Sequence, residues 1–175
     1  YSFGSLQRIL RYGLQQIGFD AIAKQKNILV LGLAAGSVVE TLVEEVGYQG
    51  HIHGVDIDET VLEIGREHFQ LDQIKNLRIF HCDAQDYIKN TSVKYGLIIV
   101  DLFQDDQMPD FLFTPPFFSQ LKTLLSPKGS ILFNTITRTK TEKQRNEDFV
   151  QYFSKLYHIK RYPKVEEENE LLILT

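Results

Sequence analysis

The sequence predicts an α/β fold, a three-layer sandwich around a doubly wound, mostly parallel sheet. Three observations predict it. Short apolar runs alternate along the chain with segments of helical spacing. The first run passes through a turn of small residues, Gly32-Leu33-Ala34-Ala35-Gly36-Ser37, directly into such a segment. Acids then follow three successive runs, at Asp56, Asp83 and Asp101.

Taken in order, Ser5 to Gly18 reads as a helix with Leu6, Ile9, Leu10, Leu14 and Ile17 on one face. Gly18 suits its end. Arg8 and Arg11 lie off that face and read as solvated. Asp20 to Lys26 reads as a connector. Asn27 to Leu31 is a buried parallel strand, bounded by Lys26 and Gly32. Val38 to Val46 has helical spacing, and Ile52 to Val55 is the second strand, ending on Asp56.

Glu59 to Phe69 continues as an amphipathic helix that Asp58 is placed to cap. Leu77 to His81 is the third strand, followed by a short helix around Gln85 to Lys89. Tyr95 to Asp101 is apolar until its last residue and reads as a central strand. The irregular stretch from Leu102 to Pro116 is long for a connection in a compact domain, which points to a functional or mobile loop. Phe117 to Leu125 reads as a helix, Ser126-Pro127-Lys128-Gly129 as a turn and Ser130 to Thr135 as a strand. Glu142 to Leu156 is a charged helix with Phe149, Tyr152, Phe153 and Leu156 inward. His158 to Tyr162 and Glu170 to Thr175, joined through Glu166-Glu167-Glu168, read as an antiparallel hairpin.

Size and composition fit one domain, residues 1–175, with an N-terminal helix and connector (1–26) before the core (27–175). A net charge of −4 gives no reason to expect a nucleic-acid partner. The single cysteine, Cys82, excludes an internal disulfide and fits a reducing, cytoplasmic setting. No apolar run here is long enough to span a membrane. The start at Tyr1 and the end in an apolar run read as trimmed ends, leaving what lies beyond them open, as is a homodimer.

The chemistry of the small-residue turn is specific. A strand turning sharply into a helix offers unpaired N–H groups and the positive dipole end to a ligand. Gly32, Ala34 and Gly36 bring no bulky side chain to obstruct close approach. Asp56, at the end of the neighbouring strand, is an acceptor suited to ribose hydroxyls. Together they ask for an adenosine-type ligand at the carboxyl ends of the strands.

The spacing Gly32, Ala34, Gly36 departs from the dinucleotide fingerprint and resembles the first motif of S-adenosylmethionine-dependent enzymes. Within them, the run from Ile28 to Val39 is most similar to the spermidine synthase branch. Asp83-Ala84, the strand Tyr95 to Asp101 and the segment Leu112 to Phe118 extend the likeness across roughly residues 27 to 135. The resemblance implies a seven-stranded sheet with a reversed last strand, and a cofactor that is S-adenosylmethionine or its decarboxylated form. It implies cofactor contacts at Gly32, Leu33, Ala34, Gly36, Asp56, Ile57, Asp83, Ala84 and Asp101. Asp56 would grip the ribose, Asp83 would accept from the adenine amine, and Asp101 would be the catalytic aspartate.

The departures decide the expected activity. The family's typical aspartate in the glycine motif is Ala35 here, and its second acid after the catalytic one is Gln104. A polyamine needs paired anions to offset its desolvation, and the family's amino-terminal β-domain has no counterpart in these residues. The leading expectation is therefore a methyltransferase of the spermidine synthase-like branch, acting on an unnamed, small-molecule or other acceptor with Asp101 as base. The second is a polyamine aminopropyltransferase using Asp101 with Asp105 or Asp106. The third is a non-catalytic nucleoside-binding domain. His51, His53, His68, His81 and His158 show no metal-ligand spacing, so no metal is expected. Cys82 reads as a small buried thiol, Phe111, Phe113, Phe117 and Phe118 as packing, and the charges from Lys140 to Arg145 as a solvated face.

Overall fold

The computed structural model describes residues 3–175, without the side chains of Phe3, Ser5 and Leu6, so the expected inward placement of Leu6 lies outside the described residues. Its seven strands form one sheet: β1 (Asn27–Leu31), β2 (His51–Asp56), β3 (Leu77–His81), β4 (Tyr95–Val100), β5 (Leu125–Ile136), β6 (Ile159–Val165) and β7 (Asn169–Leu174). The spatial order is β3-β2-β1-β4-β5-β7-β6. All neighbours pair in parallel except β7, which runs antiparallel to both β5 and β6. This is the doubly wound, mostly parallel sheet that the sequence predicts, with the reversed last strand that the resemblance implies.

Alternation along the central strands divides the core in two. Leu29, Leu31, Ile98, Val100, Ile131 and Phe133 face one side. Ile28, Val30, Leu97, Ile99 and Leu132 face the other. Both sides are covered, so every residue of β4 is buried and the strand reads as continuously apolar. The first layer holds α5 (Ala84–Asn90), α6 (Pro115–Leu124) and α7 (Lys140–Phe153). In it Phe118 packs among Phe133, Phe149 and Phe153 at ring separations of 4.8 to 5.5 Å. The second layer holds α1 (Phe3–Ile17), α2 (Phe19–Ala23), α3 (Ser37–Glu40) and α4 (Glu59–Phe69).

Five elements differ from expectation. α7 ends at Phe153, short of Leu156, and Tyr152 and Leu156, expected inward, are 51% and 42% exposed. The connector after α1 contains the short helix α2, which buries Ile22. The helix expected over Val38 to Val46 is α-helical only through Glu40; Thr41–Glu45 widens into a π-turn closed by the Val46 N–H on the Thr41 carbonyl. α6 begins at Pro115, because proline at the first position gives up only an N–H that has no helical partner anyway. The expected turn at Ser126 to Gly129 lies within the long strand β5. There Lys128 takes φ 62° and the pairing with β4 slips between Tyr95 and Leu97, so the turn chemistry makes a kink in the strand, not an interruption.

Among the described residues no helix is long and apolar enough to cross a membrane.

Candidate functional site

The strand order reverses between β1 and β4, and the crevice outside the carboxyl ends of β1, β2 and β4 is where such sheets bind ligands. A cavity of about 360 Å³ opens there. Gly32, Ala34, Asp56, Ile57, Asp83, Ala84 and Asp101, seven of the nine residues singled out from sequence, line it.

The turn after β1 is built by backbone conformation. Gly32 takes φ 87°, and a Cβ there would stand 2.1 Å from the Asp101 carbonyl oxygen. The Gly32 and Leu33 N–H groups both donate to the Val55 carbonyl, at 2.9 and 3.1 Å. Ala34 is also left-handed, with φ 48°. Its N–H donates to Asp56 Oδ2 at 2.7 Å, and the Asp58 N–H donates to Asp56 Oδ1 at 3.0 Å. Asp56 thus joins the glycine turn to the end of β2 while facing the cavity.

Two of the nine residues stand elsewhere. Leu33 is 1% exposed and packs over Gly54, where a Cβ would lie 2.8 Å from its methyl groups. Gly36 caps α3 in a left-handed conformation, φ 92°, packed on Leu71. These two shape the turn from behind.

On the adenine side expected from the resemblance, Asp83 caps α5. Its Oδ1 accepts from the Gln85 N–H at 2.7 Å and the Asp86 N–H at 3.2 Å, which leaves acceptor capacity on Oδ2. Ile57, which lines the cavity, is 61% exposed. Cys82 lines the cavity between them, and burial followed by Asp83 and Asp86 pushes its thiol up. Asp58 caps α4 as expected, accepting from the Val61 N–H at 3.2 Å, and also reaches the cavity.

Asp101 follows β4, its N–H held by the Leu31 carbonyl at 2.8 Å. Burial pushes its carboxyl up to about 6; the Asn134 Nδ2–H, 2.8 Å from Oδ1, opposes the shift, and the charge of Asp56 adds to it. A group with that affinity changes charge near neutral pH and can accept a proton there. Asn134 was not singled out from sequence. Its signal was a lone amide inside the apolar run Ile131-Leu132-Phe133.

The loop over the cavity is anchored. Gln104 and Gln107 exchange backbone hydrogen bonds at 2.8 and 3.0 Å. Arg138 Nη2 donates to the Asp106 carbonyl at 2.9 Å, and the Arg145 guanidinium lies 3.9 Å over the Phe113 ring. Arg145 is therefore no solvated charge, contrary to expectation. Gln104, Asp105 and Phe111 reach the cavity.

Charge in the cavity has one sign. Asp56, Asp58, Asp83, Asp101 and Asp105 line it, and among the described residues no lysine, arginine or histidine does. His53 instead sits with Nδ1 3.0 and 2.9 Å from the Tyr87 and Tyr95 hydroxyls, a polar node among strands. Among the described residues, no group of three or more histidine, cysteine, aspartate or glutamate side chains is arranged to hold a metal ion.

The spermine/spermidine synthase domain model matches residues 11–165. The chain is 31% identical over 140 residues to a polyamine aminopropyltransferase of Vibrio vulnificus, covering 78% of this chain and 46% of that protein. It is 24% identical over 157 residues to the eEF1A lysine and N-terminal methyltransferase homolog of Drosophila melanogaster, covering 85% and 23%. The chain spans about half or less of the length of these curated relatives. Among solved structures, a probable spermidine synthase from Corynebacterium glutamicum matches with TM-score 0.80 at 18% identity, covering 98% of this chain and 63% of that one. Human methyltransferase-like protein 13 in complex with SAH matches with TM-score 0.74 at 21% identity, covering 94% and 82%. The fold is that of Rossmann-like S-adenosylmethionine-dependent methyltransferases.

Proposed function

Because the chain belongs to the spermine/spermidine synthase domain family, we propose that it is a transferase that moves a carbon group from an S-adenosylmethionine-type donor to an amine, with methyl as the group. The observation that carries this reading is the cavity itself: a glycine turn tied to Asp56, an exposed Ile57 and five aspartates with no cation among them. Such a lining fits a sulfonium donor and an ammonium acceptor, since each buried cation needs an anion to offset desolvation.

The residues fit the donor part by part. Asp56 keeps lone pairs for ribose hydroxyls beyond the two N–H bonds it accepts. Asp83 Oδ2 can take an exocyclic amine while Oδ1 caps α5. When bound, the donor supplies an electrophilic carbon on a positively charged sulfur. Everything else falls to the chain. Asp101, as a carboxylate, takes the proton of the acceptor ammonium and frees the nitrogen lone pair. The anchored loop from Leu102 to Thr114 closes one side of the cavity and would set the line of approach.

Methyl transfer is preferred because Ala35 and Gln104 are neutral, so the acids expected for polyamine synthesis are missing at those positions. The second reading, aminopropyl transfer from the decarboxylated donor, is favoured by the cation-free lining, which gives a donor carboxylate no charged partner, and by the aminopropyltransferase relatives. Both relatives' names describe amine acceptors.

Calorimetric titration with S-adenosylmethionine, S-adenosylhomocysteine, decarboxylated S-adenosylmethionine and methylthioadenosine separates these readings. Preference for the carboxylated pair supports methyl transfer. Preference for the decarboxylated pair replaces it with aminopropyl transfer, and no binding by any of the four overturns both.

A further inference from the structure

Behind Asp101 the site continues into the sheet. Asn134 on β5 and Asn169 on β7 are both 0% exposed. Asn134 donates from Nδ2 to Asp101 Oδ1 at 2.8 Å and accepts at Oδ1 from Asn169 Nδ2 at 2.9 Å. The chain of bonds stops there, because Asn169 Oδ1 is buried with no partner. Two fully buried amides in a sheet core are costly, and an unmet buried carbonyl more so. Apolar residues of similar volume would fill the same space without that cost.

The pattern has a direction. With Asn169 donating to it, Asn134 must aim its own N–H at Asp101, which favours the charged carboxylate. If both amides turn over together, Asn134 presents Oδ1 to Asp101 and can accept from a protonated carboxyl. Asn134 Nδ2 then donates to Asn169 Oδ1, the atom that is now unpaired. One arrangement matches the ionised acid and the other the neutral acid, with the same number of bonds.

We propose that Asn134 and Asn169 are positioning residues, a two-amide relay that holds Asp101 as a carboxylate before proton transfer and turns over to receive its hydrogen afterwards. The inference deepens the reading of Asp101 as proton acceptor and rests on it. In the net step the acceptor nitrogen loses a proton to Asp101, and the relay exchanges hydrogen bonds without gaining or losing hydrogen. The titratable groups facing Asp101 across the cavity are Asp56 and Asp58 from β2 and its end, Cys82 and Asp83 before α5, and Asp105 in the loop. None of these is a cation, and the charge of Asp56 raises the proton affinity of Asp101, so none can substitute for the relay's donor.

The test is a pH titration by NMR of the intact chain, following the Asp101 carboxyl carbon and the side-chain amides of Asn134 and Asn169. In the unaltered protein both amides should shift with the midpoint of Asp101, and these shifts should vanish in Asp101→Asn. Asn134→Leu should raise the Asp101 midpoint by about one pH unit, about tenfold in proton affinity. Asn169→Leu should raise it by a smaller amount, because Asn134 is then free to turn. If Asn169→Leu leaves the midpoint in place, Asn134 acts alone and the relay is wrong. Amides that ignore the Asp101 titration overturn it too, even if neither leucine variant folds. Donor binding is measured on the same samples: a responding relay without donor binding would refute the transferase reading and leave the relay standing.

Discussion

A Cβ placed on Gly32 would meet the carbonyl oxygen of Asp101 at 2.1 Å. The first residue of the glycine turn and the candidate base are thus packed backbone against backbone. Gly32→Ala adds that clash to the strain of φ 87°, and should cost on the order of 3–5 kcal/mol. At Gly36 the neighbour is the movable end of Leu71, so Gly36→Ala should cost only about 1–2 kcal/mol. Urea unfolding of the two variants measures the difference; equal losses would mean that the close approach to Asp101 is not what makes position 32 strict.

Asp101→Asn should separate stability from turnover. Because burial pushes the carboxyl up to about 6, the folded state holds its proton more tightly than the unfolded chain does. Stability from this group is therefore greatest at low pH and is lost as pH rises from about 4 through about 6. At pH 8 the asparagine variant should be more stable than the parent by on the order of 2 kcal/mol, and at pH 4 the gap should close. Donor binding should persist while turnover falls by about 10²- to 10⁴-fold. A variant that is less stable at pH 8 would mean that the charged form is not strained.

With a proton acceptor titrating near 6, the rate should fall on the acid side as pH drops through about 6, the carboxylate being the working form. A rate profile under saturating donor checks this, and a limb that stays put in Asp101→Asn would assign it to another group.

Asp56 carries two duties, so its variants should differ. Asp56→Asn leaves one oxygen to accept from the Ala34 or Asp58 N–H and should weaken donor binding by about tenfold with little loss of stability. Asp56→Ala frees both N–H groups and should lose about 1–3 kcal/mol of stability as well. Calorimetry and thermal unfolding read the two effects; unchanged affinity in either folded variant would remove Asp56 from the donor site.

On β7, next to Asn169, Glu170 is 2% exposed and is paired by Arg161 Nε at 2.7 Å and by Asn146 Nδ2 at 2.8 Å. Arg161 also reaches Glu147 with two bonds of 2.8 and 2.7 Å. Arg161→Met should cost about 2–4 kcal/mol, because it leaves a buried carboxylate without its counter-ion. Adding Glu170→Gln should recover most of that loss in a denaturant titration. Failure to recover would show that Arg161 stabilises by packing alone.

Much of the site was legible because its residues sit where apolar runs end. Asp56 and Asp101 stand out at the ends of the second and fourth strands, and a strand buried on both faces gives an unbroken signal. What was hidden depends on partners far away in the chain. Leu33 looks like part of a ligand turn until Gly54, on the next strand, opens space for it in the core. Arg145 looks solvated until the loop brings Phe113 beneath it. Asn134 and Asn169 meet only through the pairing of β5 with β7, and no local pattern encodes that register. Ser126 to Gly129 has the composition of a turn, and its four residues bulge between the Leu125 and Ser130 pairings with β4 inside one longer strand, which no local pattern distinguishes from a strand break.

The position of β7 has a consequence for how the chain is made. Among the described residues β6 pairs with β7 alone, and β7 fills the slot between β5 and β6. A nascent chain that has emerged only through residue 165 therefore has β5 and β6 synthesised and neither edge closed. The edges of β5 and β6 that pair with β7 stay open templates for other chains until residues 169–174 arrive. Asn169 comes with that last strand, so the bond it gives Asn134 cannot form before the sheet is sealed. Residues 27–136 can assemble the cavity walls early, while the final setting of Asp101 waits for the closing strand.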